Sequence, residues 1–193
     1  MIHKGPVVRG YRTCAKARYT SLMNLSLRPT TLTDIATLPD IECSAGERFR
    51  DIPSLAWIAD ERPLSPAQHR QYVEKEMSWL ALVNHCPVGF LLAETLDSSL
   101  FIAEISLHLQ WQGKGIGRRL IDYVAGHARE KGFTSLTLTT FRDVPWNAPF
   151  YARLGFEMLA DEGLMPTLRQ KREEEAARGL AYELRCAMRL ILR

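Results

Sequence analysis

An α/β (α+β) fold of about seven strands flanked by helices is what this chain predicts, and three observations carry that expectation. Ile116, Leu120, Ile121, Val124, Ala125 and Ala128 recur on one face of a helix, while Arg118, Arg119, Asp122, Arg129 and Glu130 fall elsewhere. Immediately before that helix, Leu100 to Leu109 is a β-rich run, and the two are joined by Gln112-Gly113-Lys114-Gly115-Ile116-Gly117. Upstream, the runs Trp79 to Val83 and Val88 to Thr95, with turns at Asn84 to Pro87 and Leu96 to Ser99, complete a three-strand antiparallel meander.

The remaining elements follow from local signals. Leu25 and Leu27 alternate in a first strand from Asn24 to Arg28, and Thr33 offers an N-cap to a helix carrying Ile35, Leu38 and Ile41. Ser65-Pro66-Ala67-Gln68 reads as a capping box with proline at the first helical position, opening a helix to about Met77. Lys131 and Gly132 supply a basic last turn and a stop for the amphipathic helix. After it come a strand (Ser135 to Phe141), a short helix (Pro149 to Leu154) that Asn147 can cap and Gly155 can end, and a strand (Phe156 to Leu159). A polar helix (Thr167 to Gly179) and a final apolar strand (Tyr182 to Leu192) complete the series.

The chain has 193 residues, enough for one domain with a full core, and its 46% hydrophobic and 24% charged residues are those of a globular protein. The net charge of +3 is unevenly placed. Residues 1 to 33 hold six of the 25 basic side chains and no acid, so the rest carries 22 acids against 19 bases and does not read as a nucleic-acid binder. Residues 1–22 are expected to be a basic, flexible extension outside the domain at 23–193, too poor in apolar residues for a secretory signal. No apolar run approaches the roughly 20 residues of a membrane span. Cys14, Cys43, Cys86 and Cys186 stand far apart without a C-x-x-C pair or a histidine at ligand spacing. Neither a metal site nor a disulfide framework is therefore expected, and free thiols in a cytoplasmic setting are the plain reading.

Alternating glycines running into a helix expose backbone N–H groups beside the positive end of a helix dipole, which suits phosphate. A P-loop would need G-x-x-x-x-G-K-[ST], and a dinucleotide fingerprint G-x-G-x-x-G; neither spacing is present. The pattern Q-x-x-G-x-G from Gln112 to Gly117 instead resembles the pyrophosphate-binding motif of the GNAT superfamily of acyl-CoA N-acyltransferases. About thirty residues on, Phe150-Tyr151-Ala152-Arg153-Leu154-Gly155-Phe156 looks like the second signature of that family, in which the tyrosine sits beside the sulfur of coenzyme A. The resemblance covers roughly residues 24 to 192. It implies the GNAT fold, with a central mixed, mostly antiparallel sheet, and acetyl-CoA as co-substrate with no metal.

The same resemblance assigns the donor contacts. The N–H groups of Gly113, Lys114, Gly115, Ile116 and Gly117, with Gln112, would surround the pyrophosphate, and Arg118 and Arg119 are nearby cations. Backbone groups of Leu107, His108 and Leu109 would lie beside the pantetheine arm, one N–H facing the thioester oxygen. Asn147 is the candidate contact to the same arm, although it stands nearer the Phe-Tyr pair than in many family members. Tyr151 is the candidate general acid, since a phenol stays protonated at neutral pH, with packing beside Phe150 the alternative. Glu104 is the candidate base, or else binds only the substrate cation, and His108 is a second candidate. The expected acceptor is a small-molecule or protein/peptide amine, with neither nucleic acid nor membrane as partner and a homodimer compatible with the family. A non-catalytic acyl-CoA-binding regulator is the alternative function. Glu47, Arg48, Phe49, Trp57, Asp60, Trp79, Arg142 and Trp146 are the residues polar or aromatic enough to select the acceptor.

Overall fold

In the computed structural model, which describes residues 24–193, the chain runs β1 (Leu25–Pro29), α1 (Leu38–Gly46), α2 (Pro66–Glu74), β2 (Ser78–Val83), β3 (Cys86–Leu96) and β4 (Ser99–Leu107). It continues through α3 (Ile116–Glu130), β5 (Ser135–Phe141), α4 (Ala148–Arg153), β6 (Glu157–Met158), α5 (Pro166–Ala177) and β7 (Arg185–Ile191). The strands form one sheet in the order β1-β2-β3-β4-β5-β7-β6. Among the described residues only the β4–β5 pair is parallel, so the mixed, mostly antiparallel sheet expected of the sequence is present. The basic segment 1–22 and Cys14 lie outside the described residues.

Side chains on β2 alternate between two cores, and every residue of the strand is buried. Trp79, Ala81 and Val83 join the apolar face of α3, where Leu120 and Val124 are fully buried. Leu80 and Leu82 pack with Leu38 and Ile41 of α1 on the other side. Helices therefore cover both faces, and each fully buried leucine contributes about 1.5–3 kcal/mol through removal of apolar surface from water.

Caps and turns fix the element ends. Ser65 and Gln68 form the expected capping box, the Ser65 Oγ accepting from the Gln68 amide at 3.3 Å and the Gln68 Oε1 accepting from the Ser65 amide at 2.9 Å. Asn84 and His85 both have positive φ, the backbone of a two-residue hairpin turn between Val83 and Cys86. The first helical segment departs from expectation. Thr31, not Thr33, is the capping residue, because the Asp34 carboxylate accepts from the Thr31 amide at 2.8 Å and pairs with both arms of Arg28. That segment is a 3-10 turn (Leu32–Thr37) running into α1. Two further 3-10 turns, Glu47–Asp51 and Pro53–Asp60, had no periodic signal. The last strand opens at Arg185, since Tyr182–Leu184 make another 3-10 turn. The free-thiol reading holds for Cys43 and Cys186 but not for Cys86, which is disulfide-bonded. Sequence spacing carries no information on such a pairing.

One irregularity shapes the functional end of the sheet. β3 pairs with β4 as Ala93↔Ile102 and then Leu92↔Glu104, so Ala103 is an extra residue in β4, a β-bulge. Beyond it, β4 and β5 separate: their pairing spans only Ser99–Ile102 against Ser135–Leu138, while β4 continues to Leu107 and β5 to Phe141. Past the bulge, β3 is the one strand among the described residues that pairs with β4, and there Gly89 faces Leu107. A Cβ on Gly89 would lie 2.2 Å from the Leu107 Cδ2 and 2.9 Å from the Ser106 carbonyl oxygen, so a side chain would force the strand outward. Gly89→Ala is expected to destabilise the fold by about 1–3 kcal/mol. A lower urea midpoint at unchanged slope is the measurement; an unshifted midpoint would show that β4 yields freely.

Candidate active site

A cavity of about 940 Å³ opens where β4 and β5 diverge. Its donor-side wall includes Leu107, Gln112, Gly113, Gly115 and Gly117, and its chemical wall includes Glu104 and Tyr151.

The glycine loop has the backbone its residues dictate. Gly113 (φ 73°) and Gly115 (φ 79°) occupy the left-handed region, and Gly115 is the N-cap of α3. Gly117 is small for a different reason: a Cβ there would meet the Leu107 Cδ1 at 3.3 Å and the Phe150 ring at 3.5 Å. Among the described residues, the amides of Gly113, Gly115, Ile116 and Gly117 make no hydrogen bond, as the first turn of a helix requires. The loop thus presents a row of donors at a helix N-terminus. The Lys114 ammonium lies 4.8 Å from the centre of the Trp111 ring. Arg118 lines the cavity and pairs with Asp122 at 3.9 Å, an exposed contact of little energetic weight.

Gln112 takes a structural position. Its Nε2 donates to the Leu107 carbonyl at 3.0 Å and to the Ala45 carbonyl at 3.5 Å, and its Oε1 accepts from the Arg48 Nη1 at 3.0 Å. Its side chain ties the end of β4 to the end of α1.

The backbone set expected beside the cofactor narrows to one amide. The His108 N–H donates to the Val88 carbonyl at 2.9 Å, and the Leu109 N–H donates to the Ser44 Oγ at 3.1 Å. Antiparallel pairs alternate, so with His108 bonded toward β3 the N–H groups of Leu107 and Ile105 point into the gap. The His108 imidazole does not line the cavity, and its Nδ1 is buried without a partner among the described residues.

Tyr151 stands on α4 with its ring against Phe150 (5.2 Å between centroids) and Phe156 (5.6 Å), and it is 8% exposed. Burial pushes its phenol above the ordinary value, the Glu104 charge adds to this, and the Arg185 charge opposes it. The phenol is thus a donor at any physiological pH. Asn147 sits at the N-cap of α4 but makes no side-chain cap; its Oδ1 accepts instead from the Thr140 Oγ1 at 2.7 Å, and its carbonyl accepts from the Phe150 and Tyr151 amides.

Glu104, half-buried just past the bulge, accepts from the Ser106 Oγ at 2.9 Å, and burial raises its carboxyl above the ordinary range. Glu42 of α1 lines the same cavity and is raised to about 7, first by burial and then by the Glu104 charge. On the opposite wall, the Arg185 Nε donates to the Glu175 Oε2 at 2.9 Å and its Nη2 to the Thr139 Oγ1 at 3.2 Å, while the Thr139 hydroxyl donates to the other Glu175 oxygen.

Of the acceptor-side candidates, Arg48, Phe49, Trp57 and Trp146 line the cavity. Trp79 is a core residue at 1% exposed, Glu47 and Asp60 are held on the surface by Arg50, and Arg142 bonds to the Arg185 carbonyl. Sequence reasoning missed Glu42, Glu175 and Arg185. The one available signal was Arg185, a cation opening the mostly apolar strand Arg185–Ile191.

A family model for the GNAT acetyltransferases matches residues 46–156. The chain belongs to that family. Among solved structures, it is similar to the PaiA N-acetyltransferase of Thermoplasma acidophilum in complex with coenzyme A (15% identity, 88% of this chain and 99% of that one, TM-score 0.65). It is also similar to the ribosomal-protein-S18-alanine N-acetyltransferase of Escherichia coli (15% identity, 87% and 94% covered, TM-score 0.61). The third is N-acetylglutamate synthase from Neisseria gonorrhoeae, complexed with coenzyme A and N-acetyl-glutamate (16% identity, 90% of this chain, TM-score 0.64). The match spans 36% of that longer enzyme. At such identities the likeness is one of fold. Among the described residues, no helix is long and apolar enough to cross a membrane.

A carboxyl raised by burial makes stability pH-dependent. With Glu42 at about 7 in the fold and 4.5 when unperturbed, the native state binds more protons across that interval, so stability falls as pH rises from about 4.5 to 7. Glu42→Gln removes the penalty and should be more stable than the parent by about 2–3 kcal/mol at pH 8, the difference vanishing near pH 4. Urea unfolding at the two pH values measures it; parallel stabilities across pH would contradict a raised Glu42.

Proposed function

We propose that this protein is an N-acetyltransferase that transfers the acetyl group of acetyl-CoA to a primary amine by direct attack. The observation that carries the reading is the convergence, on one cavity, of a row of unbonded loop amides, the gap-facing Leu107 N–H, a protonated Tyr151 and a half-buried Glu104. Membership of a family of acetyltransferases, and the coenzyme A bound by several structural relatives, support it.

Each group then has a step. The amides of Gly113, Gly115, Ile116 and Gly117 receive the pyrophosphate, with the α3 dipole behind them. The pantetheine arm lies against the unpaired edge of β4, completing a ladder that β5 leaves open. Glu104 takes a proton from the ammonium, freeing the nitrogen lone pair to attack the thioester carbon. The Leu107 N–H donates to the oxyanion, the C–S bond breaks, and the thiolate takes the Tyr151 proton. The second nitrogen proton restores the phenol, and the proton on Glu104 leaves to solvent.

Tyr151→Phe should lower turnover by about 100-fold, the span of a general acid, while the acetyl-CoA dissociation constant stays within about twofold. Release of coenzyme A thiol, measured beside calorimetry, separates the two effects. Unchanged turnover across pH would remove Tyr151 from the chemistry. On the donor side, Gly115→Ala forces a side chain into the left-handed region at about 1–2 kcal/mol and should weaken coenzyme A binding measurably. Calorimetric titration with coenzyme A alone checks this, and an unaltered affinity would place the pyrophosphate elsewhere.

A further inference from the structure

Two carboxylates reach the acceptor side of the cavity from different elements, and among the described residues each accepts hydrogen bonds only from neutral donors. The Glu104 carboxylate has the Ser106 hydroxyl on one oxygen; that of Glu42 has the Leu64 amide on Oε2 at 3.1 Å. Behind Glu42 stands His69 of α2, wholly buried, with neither ring nitrogen hydrogen-bonded among the described residues and its Nε2 3.8 Å from the Glu42 Oε2. Burial holds that imidazole below its usual value, so it does not supply a compensating cation. Tyr72, Tyr151 and Arg185 are the other titratable groups whose charge couples to Glu104. Arg185 is itself neutralised by Glu175. Arg48 is engaged by Gln112 and lies over the Trp146 ring, while Arg62 and Arg178 are exposed side chains at the cavity's edge. Among the described residues, the acceptor side therefore holds two acidic groups and no buried, unpaired cation to neutralise them.

We propose that Glu42 and Glu104 form a two-carboxylate seat for the acceptor's ammonium group, Glu42 anchoring the cation and Glu104 taking its proton. This rests on the acetyltransferase reading and sharpens it: the acceptor reacts through a primary alkylammonium, whose three N–H donors can bridge two carboxylates, rather than through an uncharged arylamine. The bond changes are those of the acetyl transfer; the seat adds only where the first proton goes. Glu42 is a positioning residue, holding the nitrogen above the thioester while Glu104 receives the proton.

The test uses the full chain with acetyl-CoA and three probes, n-butylamine, spermidine and aniline, with thiol release as readout. Glu42→Gln keeps the acceptor oxygen for the Leu64 amide, and Glu42→Asp keeps the charge. Loss of a charge-assisted contact should raise KM for the alkylamines about tenfold or more, with kcat changed far less, and Asp should recover part of the loss. Removing the Glu42 charge also eases ionisation of Glu104, so the acidic limb of kcat/KM should move to lower pH in Glu42→Gln, a change that a purely structural role does not produce. Wild-type turnover with KM and limb unaltered in Glu42→Gln, or aniline as the preferred acceptor, overturns the seat. Absence of thiol release from wild type with every probe overturns the acetyltransferase reading and the seat together.

Discussion

A sheet that opens in its middle is the constraint on which the rest of this structure depends. At the Ala103 bulge, β4 turns from β5, and two central strands are left with unmatched backbone groups where a globular protein would normally pair them. An interior edge of this kind persists only because its neighbours are fixed. β3 holds β4 on the far side through the Gly89–Leu107 register, and Gln112 caps the outermost carbonyl. The same opening sets the cavity's position, aims the Leu107 N–H and places Glu104 opposite Tyr151 rather than in a ladder of side chains.

The two walls of the opening are electrostatically unlike. Along β5 and β7, Arg185 and Glu175 close on each other and on Thr139, a pair at 11% and 13% side-chain exposure whose charges cancel locally. Along α1 and β4, Glu42 and Glu104 repel, and burial raises both. A buried ion pair contributes little net stability against its own desolvation, and a buried carboxyl pair opposes folding when ionised. Neither wall is what a core optimised for stability would contain, and both are understandable as the surroundings of a reacting group.

How far this could be read from the chain depended on how local each signal is. The α3 face, the Ser65 capping box and the glycine loop each rest on residues within one turn or one strand and stand at the expected place, while the hairpin turn expected over Asn84 to Pro87 is tighter, Cys86 and Pro87 having joined β3. Tyr151, named from the second motif, and Glu104, named from the family resemblance, both line the cavity. Glu42 and Glu175 were missed: Glu42 takes its meaning from Glu104, on a strand far away in sequence, and Glu175 is one of three consecutive glutamates, of which only the fold selects the one that meets Arg185. The run from Glu47 to Asp60 failed for a different reason, since 3-10 turns carry no 3.6-residue period to detect. Gln112 belongs to the motif, and its side chain bonds to Leu107, Ala45 and Arg48, contacts that no spacing rule specifies.

Those three bonds from Gln112 reach beyond the loop's own geometry. A glycine-rich segment is costly to order, because glycine gives up more backbone freedom than any other residue when it is fixed. Here the segment is already anchored at its first residue to both a strand end and a helix end, and at its last to the buried start of α3. Most of the ordering entropy is therefore lost during folding. In the function proposed above, an arriving diphosphate would meet amides that are in place, and the affinity of the site would not be reduced by shaping it.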